Sequence, residues 1–138
     1  MRTVLFLLVG GNEGDVKRVR AQTAGLGLNN VHLTGFLPNA DLPPYLFAAD
    51  VLAKPYNAQT GSALFMSPMK MFEYMAAGRP IVASNFQSVR EVLREGENAI
   101  LVEPGNADAL HAGLLRSLQS PDAAALPWVR GRGSRFVI

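Results

Sequence analysis

At 138 residues, with 49% hydrophobic and 17% charged side chains, the chain is long enough for one domain with a real core and too apolar to be disordered. A formal charge of +2 is too small to argue for nucleic acid, and the lack of cysteine excludes a disulfide framework, a thiolate metal site and a cysteine nucleophile. The apolar run Val4–Val9 is too short to span a membrane, and Gly10-Gly11-Asn12 ends it at strand length, unlike a signal peptide.

Thr3 to Val9 has the unbroken apolar character of a strand buried on both faces. A charged amphipathic helix is expected from Asp15 to Leu26, with Gly25 and Gly27 as stop signals. Val31 to Gly35 predicts a short strand, Phe36 to Pro44 a loop, Tyr45 to Ala49 a short helix, and Val51 to Pro55 another strand. Tyr56 to Met66 reads as an irregular loop. Beyond it the pattern gives a helix over Pro68–Ala77, a strand over Pro80–Ser84, a helix over Ser88–Arg94 and a strand over Ala99–Val102. A last helix is expected over Asn106–Leu118, with Asn106 or Asp108 near its N-cap.

Strands and helices alternate throughout, which predicts an α/β domain over residues 1–119. The expected architecture is a Rossmann-like, doubly wound parallel sheet of about five strands. Ligands of such sheets bind beyond the carboxyl ends of the strands. Residues 120–138 keep neither period and are expected to form an irregular basic tail. His32 and His111 have no partner pattern, and each reads as a surface or boundary residue.

The segment Ser67-Pro-Met-Lys-Met-Phe-Glu-Tyr74 poses a question. Ser67 and Pro68 are a strong helix start, and Gly78 with Pro80 is a strong stop. Lys70 then falls in the first turn, where a cation opposes the helix dipole at a cost of a few tenths of a kcal/mol, roughly. Glu73 lies three residues on, on the same face. One reading is an ordinary surface ion pair, worth about 0.2–0.5 kcal/mol, over a core of Met69, Phe72 and Met75. The other begins from position. A helix that follows a strand and loop in a parallel sheet starts at the carboxyl edge, where its free N–H groups bind anions. There Lys70 would meet a diphosphate and Glu73 could accept hydrogen bonds from a ribose diol.

Several stretches together resemble the C-terminal nucleotide-sugar-binding domain of retaining glycosyltransferases of family 4, which have the GT-B fold. They are Leu8-Val-Gly-Gly11, Val31-His-Leu-Thr-Gly-Phe-Leu-Pro38, Leu42 to Val51, and Phe72-Glu-Tyr-Met-Ala-Ala-Gly-Arg-Pro-Ile-Val-Ala-Ser84. Val89-Arg-Glu-Val92 and Gly96-Glu-Asn-Ala-Ile-Leu-Val-Glu-Pro-Gly105 complete the series, so the likeness runs over about residues 4 to 118.

The resemblance implies one half of a GT-B fold and a donor nucleotide site. Glu73 matches the acid that holds the ribose hydroxyls. The amides of Met69, Lys70 and Met71 match the helix start that meets the donor phosphates. Leu37 matches the backbone position that reads the base, with Leu42 beside it. The implied substrate is a nucleoside diphosphate sugar, its sugar passed with retention to an acceptor hydroxyl on a glycan, lipid or small molecule. Neither metal nor cofactor is implied, and no nucleic acid. The implied location is the cytoplasm, or the inner face of a membrane in the full-length enzyme.

There are three departures from the family pattern. Phe65 stands where its first acid is expected, as in the branch carrying S-P-x-K-x-F-E-Y-M-A. The chain opens at the family's second strand, without the upstream phosphate-binding cations. The acceptor-binding domain does not precede it, so a truncated chain, inactive alone, is expected, with an N-terminal GT-B domain or another copy of itself as partner. A non-catalytic nucleotide-sugar-binding module and a GT-B-type sugar-nucleotide epimerase relative are the competing readings.

Overall fold

A computed structural model describes residues 4–57, 69–119 and 134–138, the last segment through its backbone pairing up to residue 137. Six parallel strands form one sheet: β1 (Val4–Val9), β2 (Val31–Gly35), β3 (Val51–Lys54), β4 (Ile81–Ser84), β5 (Ile100–Val102) and β6 (Ser134–Val137). The helices are α1 (Glu13–Gly25), α2 (Pro43–Ala48), α3 (Met69–Ala77), α4 (Gln87–Arg90) and α5 (Ala107–Gln119), with a 3-10 turn at Asn39–Asp41. The predicted α/β alternation is present in full, and the Ser67–Pro68 helix start and Phe65 lie outside the described residues.

Element ends follow local chemistry. Helix α1 starts two residues before the expected Asp15, because the Asn12 side chain accepts a hydrogen bond from the Asp15 amide at 2.9 Å. Glu13 and Asp15 in its first turn suit the positive end of the helix dipole. At α5 the choice between two caps falls to Asn106, whose side chain accepts from the Ala109 amide at 2.9 Å. Gly78 closes α3 with a φ of 66°, in the left-handed region where glycine is favoured. Helix α4 is one turn long, shorter than the expected Ser88–Arg94 helix; turns carry the chain on to β5.

The strand order is β2-β1-β6-β3-β4-β5. The six strands among the described residues agree with the expected sheet of about five, and one expectation is corrected: the tail expected to be irregular ends in a strand. Backbone pairs Val4↔Ser134 to Leu7↔Val137 join β6 to β1, and Val51↔Phe136 and Leu52↔Val137 join it to β3. The Ile138 amide and carbonyl extend the β1 ladder through Leu7 and Val9, at 2.9 and 3.0 Å. The doubly wound order 3-2-1-4-5-6 explains the placement. Strands β1 to β5 occupy its positions 2 to 6, and β6, last in sequence, fills position 1 at the centre. An apolar Phe136-Val137-Ile138 run has the composition of a central parallel strand.

Strand β1, expected to be buried on both faces, is only half-buried, with Leu5 exposed, because α1 contributes no buried residue. Over β3 to β5 both faces of the sheet are covered. On one, Leu52 and Ala83 pack with Leu46 of α2, Met71 and Tyr74 of α3, and Val89 and Leu93. On the other, Val51, Ala53, Val82 and Val102 pack with Leu114 of α5. Helix α5 lies very close to the sheet at Gly113, where a Cβ would meet Val102 Cγ1 at 2.7 Å and Val82 Cγ1 at 3.2 Å. Gly113→Ala should therefore destabilise the fold by about 1–2 kcal/mol, overpacking outweighing the roughly 1 kcal/mol gained in helix propensity. Denaturant melts would show a lower midpoint; an increase would mean that α5 has room to shift outward.

Candidate functional site: a pocket at the carboxyl edge

A pocket of about 320 Å³ opens at the carboxyl edge of the sheet. Val9 and Ile138, at the carboxyl ends of β1 and β6, form its floor together with Gly10. Leu37, Asn39, Leu42 and Leu46 supply one wall, and Met69, Lys70, Glu73 and Tyr74 of α3 the other. The location is the crevice beside the point where strand order reverses, the usual ligand position of this architecture. Its volume lies in the range of small-molecule sites.

Leu37, Leu42, Met69, Lys70 and Glu73 all meet at this pocket, although 36 residues separate Leu37 from Glu73 in the sequence. Met71 differs. Its side chain is buried in the core at 1% exposure and does not line the pocket, so only its amide, in the first turn of α3, is available to a ligand. The placement follows from helical spacing, since Met71 and Tyr74 turn inward while Lys70 and Glu73 face the opening. Glu73 is half-buried and Lys70 is exposed. The ion pair that their spacing allows is not formed: among the described residues the salt bridges are Arg18–Asp15, Arg94–Glu97 and Arg116–Glu95. The first turn of α3 carries no acid, which leaves its positive end uncompensated by its own side chains.

Sequence reasoning missed Gly10 and Tyr74, which line the pocket, and Lys54, which does not line it but feels the charges of Lys70 and Glu73. Gly10 has a φ of 99°, and its amide donates to the Thr34 hydroxyl at 3.2 Å. The Gly-Gly pair after an apolar strand is a signal for this turn. Tyr74 is buried, and its hydroxyl pKa is pushed up to about 12 by burial, with Tyr56 and Glu73 adding to the shift. It stays protonated across the physiological range. Lys54, the last residue of β3, is 4% exposed. Burial, and then the nearby Lys70, lower its pKa, and Glu73 opposes them.

Just beyond Lys54 the chain is held by Ser84. The Ser84 hydroxyl accepts from the Tyr56 amide at 2.7 Å and donates to the Tyr56 carbonyl at 3.1 Å. Ser84→Ala should cost about 1–2 kcal/mol in a denaturant melt, because both backbone groups of Tyr56 lose this partner. An unchanged midpoint would show that water replaces the hydroxyl without loss.

Fold and pocket define a Rossmann-like α/β domain with a pocket at the carboxyl edge of its sheet. The chain belongs to the family of group 1 glycosyl transferases, whose model matches residues 1–120. It is 34% identical over 117 residues to a phosphatidyl-myo-inositol mannosyltransferase of Mycobacterium leprae, covering 85% of this chain and 29% of that protein. It is 33% identical over 101 residues to an O-antigen chain mannosyltransferase B of Escherichia coli, covering 73% of this chain and 24% of the relative. Among solved structures, Anabaena HepE in complex with UDP and glucose matches with a TM-score of 0.72 at 28% identity, over 88% of this chain and 33% of that one. A sucrose-phosphate synthase from Thermosynechococcus elongatus matches at 0.68 and 27%, over 88% and 31%. These are GT-B-type neighbours, and the chain spans about a third or less of each of these relatives. Among the described residues no helix is long and apolar enough to cross a membrane.

Proposed function

We propose that this chain is the donor-binding half of a metal-independent, retaining glycosyltransferase, and that its pocket holds a nucleoside diphosphate sugar. The observation that carries the reading is the convergence of Leu37, Leu42, Lys70 and Glu73 on one pocket at the start of α3. Leu37 and Leu42 supply an apolar wall for the base. Glu73, facing the same opening, accepts hydrogen bonds from the ribose diol. The amides of Met69, Lys70 and Met71 and the Lys70 ammonium receive the diphosphate. Stabilising the leaving diphosphate in this way is the part of catalysis that a donor-binding half can supply. HepE, matched above, was solved with UDP and glucose.

In a complete enzyme the acceptor hydroxyl would be presented by a second domain across the cleft. The group 1 relatives named above as mannosyltransferases favour a hexosyl donor. Calorimetric titration of the chain with UDP, GDP and ADP, and with their sugars, tests the reading. One base series should bind and raise the melting temperature by mass action. If none of the diphosphates binds, the pocket is not a donor site.

A further inference from the structure

We propose that Lys54 is a second cation of the diphosphate site, reaching it from the sheet as Lys70 does from the helix. This rests on the reading of the pocket as a donor site.

The register places Lys54 at the right edge. Leu52 pairs with Val137, so Ala53 stands level with Ile138 and Lys54 one step further out, beyond the end of β6. Ile138 lines the pocket. Side chains alternate along a strand, so Lys54 shares the face of Leu52, which packs against Met71 and Tyr74 of α3. Lys54 therefore lies on the α3 side of the sheet, at its carboxyl rim.

Its surroundings do not explain it as a structural lysine. The residue is 4% exposed, yet among the described residues no carboxylate lies within ion-pair distance of its ammonium group. What it does meet is the Tyr56 ring, with Nζ 5.6 Å from the centroid. The charges close enough to act on it are Lys70 and Glu73. The cluster thus holds two ammonium groups to one carboxylate, an arrangement that is costly for a buried amine unless an anion completes it. A diphosphate beside the start of α3 would supply that anion. Tyr56, fixed by the Ser84 hydroxyl, would keep the lysine stem from swinging away.

The test uses the whole 138-residue chain. Lys54→Met, Lys54→Gln and Lys54→Arg would be titrated calorimetrically with three probes. These are inorganic pyrophosphate, the nucleoside diphosphate that the unaltered chain binds, and the matching nucleoside. The expected result is a loss of diphosphate affinity of roughly ten- to a hundredfold in the methionine and glutamine variants. Nucleoside affinity should be unchanged, arginine should restore most of the loss, and pyrophosphate should follow the diphosphate. Removing a buried charge should leave the melting temperature of the ligand-free methionine variant equal or higher. Diphosphate affinity unchanged in both neutral variants would overturn the role of Lys54 and leave the donor site standing. Equal losses for nucleoside and diphosphate would also overturn it, since they would mark a collapsed pocket. No diphosphate binding by the unaltered chain would overturn both.

Discussion

Glu73→Gln is expected to weaken nucleoside diphosphate binding by about 1.5–3 kcal/mol, the range for hydrogen bonds to a charged group. The substitution keeps the shape of the side chain and removes its charge and one acceptor oxygen. A ribose diol presents two donors, and a carboxylate can accept both at once. Glutamine accepts one and turns an amide N–H toward the other. Glu73 is half-buried in the pocket wall and has no ion-pair partner among the described residues, so its loss should not unfold the chain. Calorimetry with ribo- and 2′-deoxyribonucleoside diphosphates isolates the contact. The unaltered chain should prefer the ribonucleotide, and the variant should lose most of that preference. Equal affinities in the unaltered chain would remove Glu73 from ribose recognition.

Lys70→Ala should reduce diphosphate affinity by about 1–3 kcal/mol, with a weaker dependence on salt. Stability should move the other way. A cation in the first turn opposes the helix dipole, and alanine is a strong helix former, so the ligand-free variant should melt at the same temperature or slightly higher. Those opposite signs separate a binding role from a structural one. Lower stability with unchanged diphosphate affinity, measured by thermal melts beside calorimetry, would make Lys70 a structural residue.

The parts of this fold visible in sequence were those with a local signature. The apolar run Val4–Val9, the four fully buried residues of β4 and the Gly78 stop of α3 each carry a strand or helix rule in a few residues. The α3 segment is also legible as a candidate site, because a lysine in a first turn has a cost that asks for an anion. Spacing alone could not decide between an ion pair and a site for Lys70 and Glu73. Three residues apart on a helix satisfies both, and what the structure adds is that the ion pair is not formed.

What escaped was non-local. Ser134–Val137 follows an irregular glycine- and arginine-rich stretch, so its apolar end carries no period by which to recognise a strand. Its place depends on the gap between β1 and β3, which only the assembled sheet shows. Lys54 carries no signal of its own inside the expected strand Val51–Pro55. It is 4% exposed, and the charges that act on it, Lys70 and Glu73, lie more than a dozen residues away in sequence. Asn39 and Ile138 join the pocket through tertiary placement alone. Met71 enters the expected site through its amide alone, and the burial of its side chain in the core leaves that expectation as it stands.

The central claim is that one pocket binds base, ribose and diphosphate together. Titrating the isotopically labelled chain with the nucleoside diphosphate it binds, and following its backbone amides by NMR, tests this most directly. The account predicts the largest shifts at Gly10, Leu37, Leu42, Met69, Lys70, Met71 and Glu73, saturating with a single binding constant. Shifts confined to α1 or α5, or none at concentrations that saturate a GT-B donor site, would contradict it.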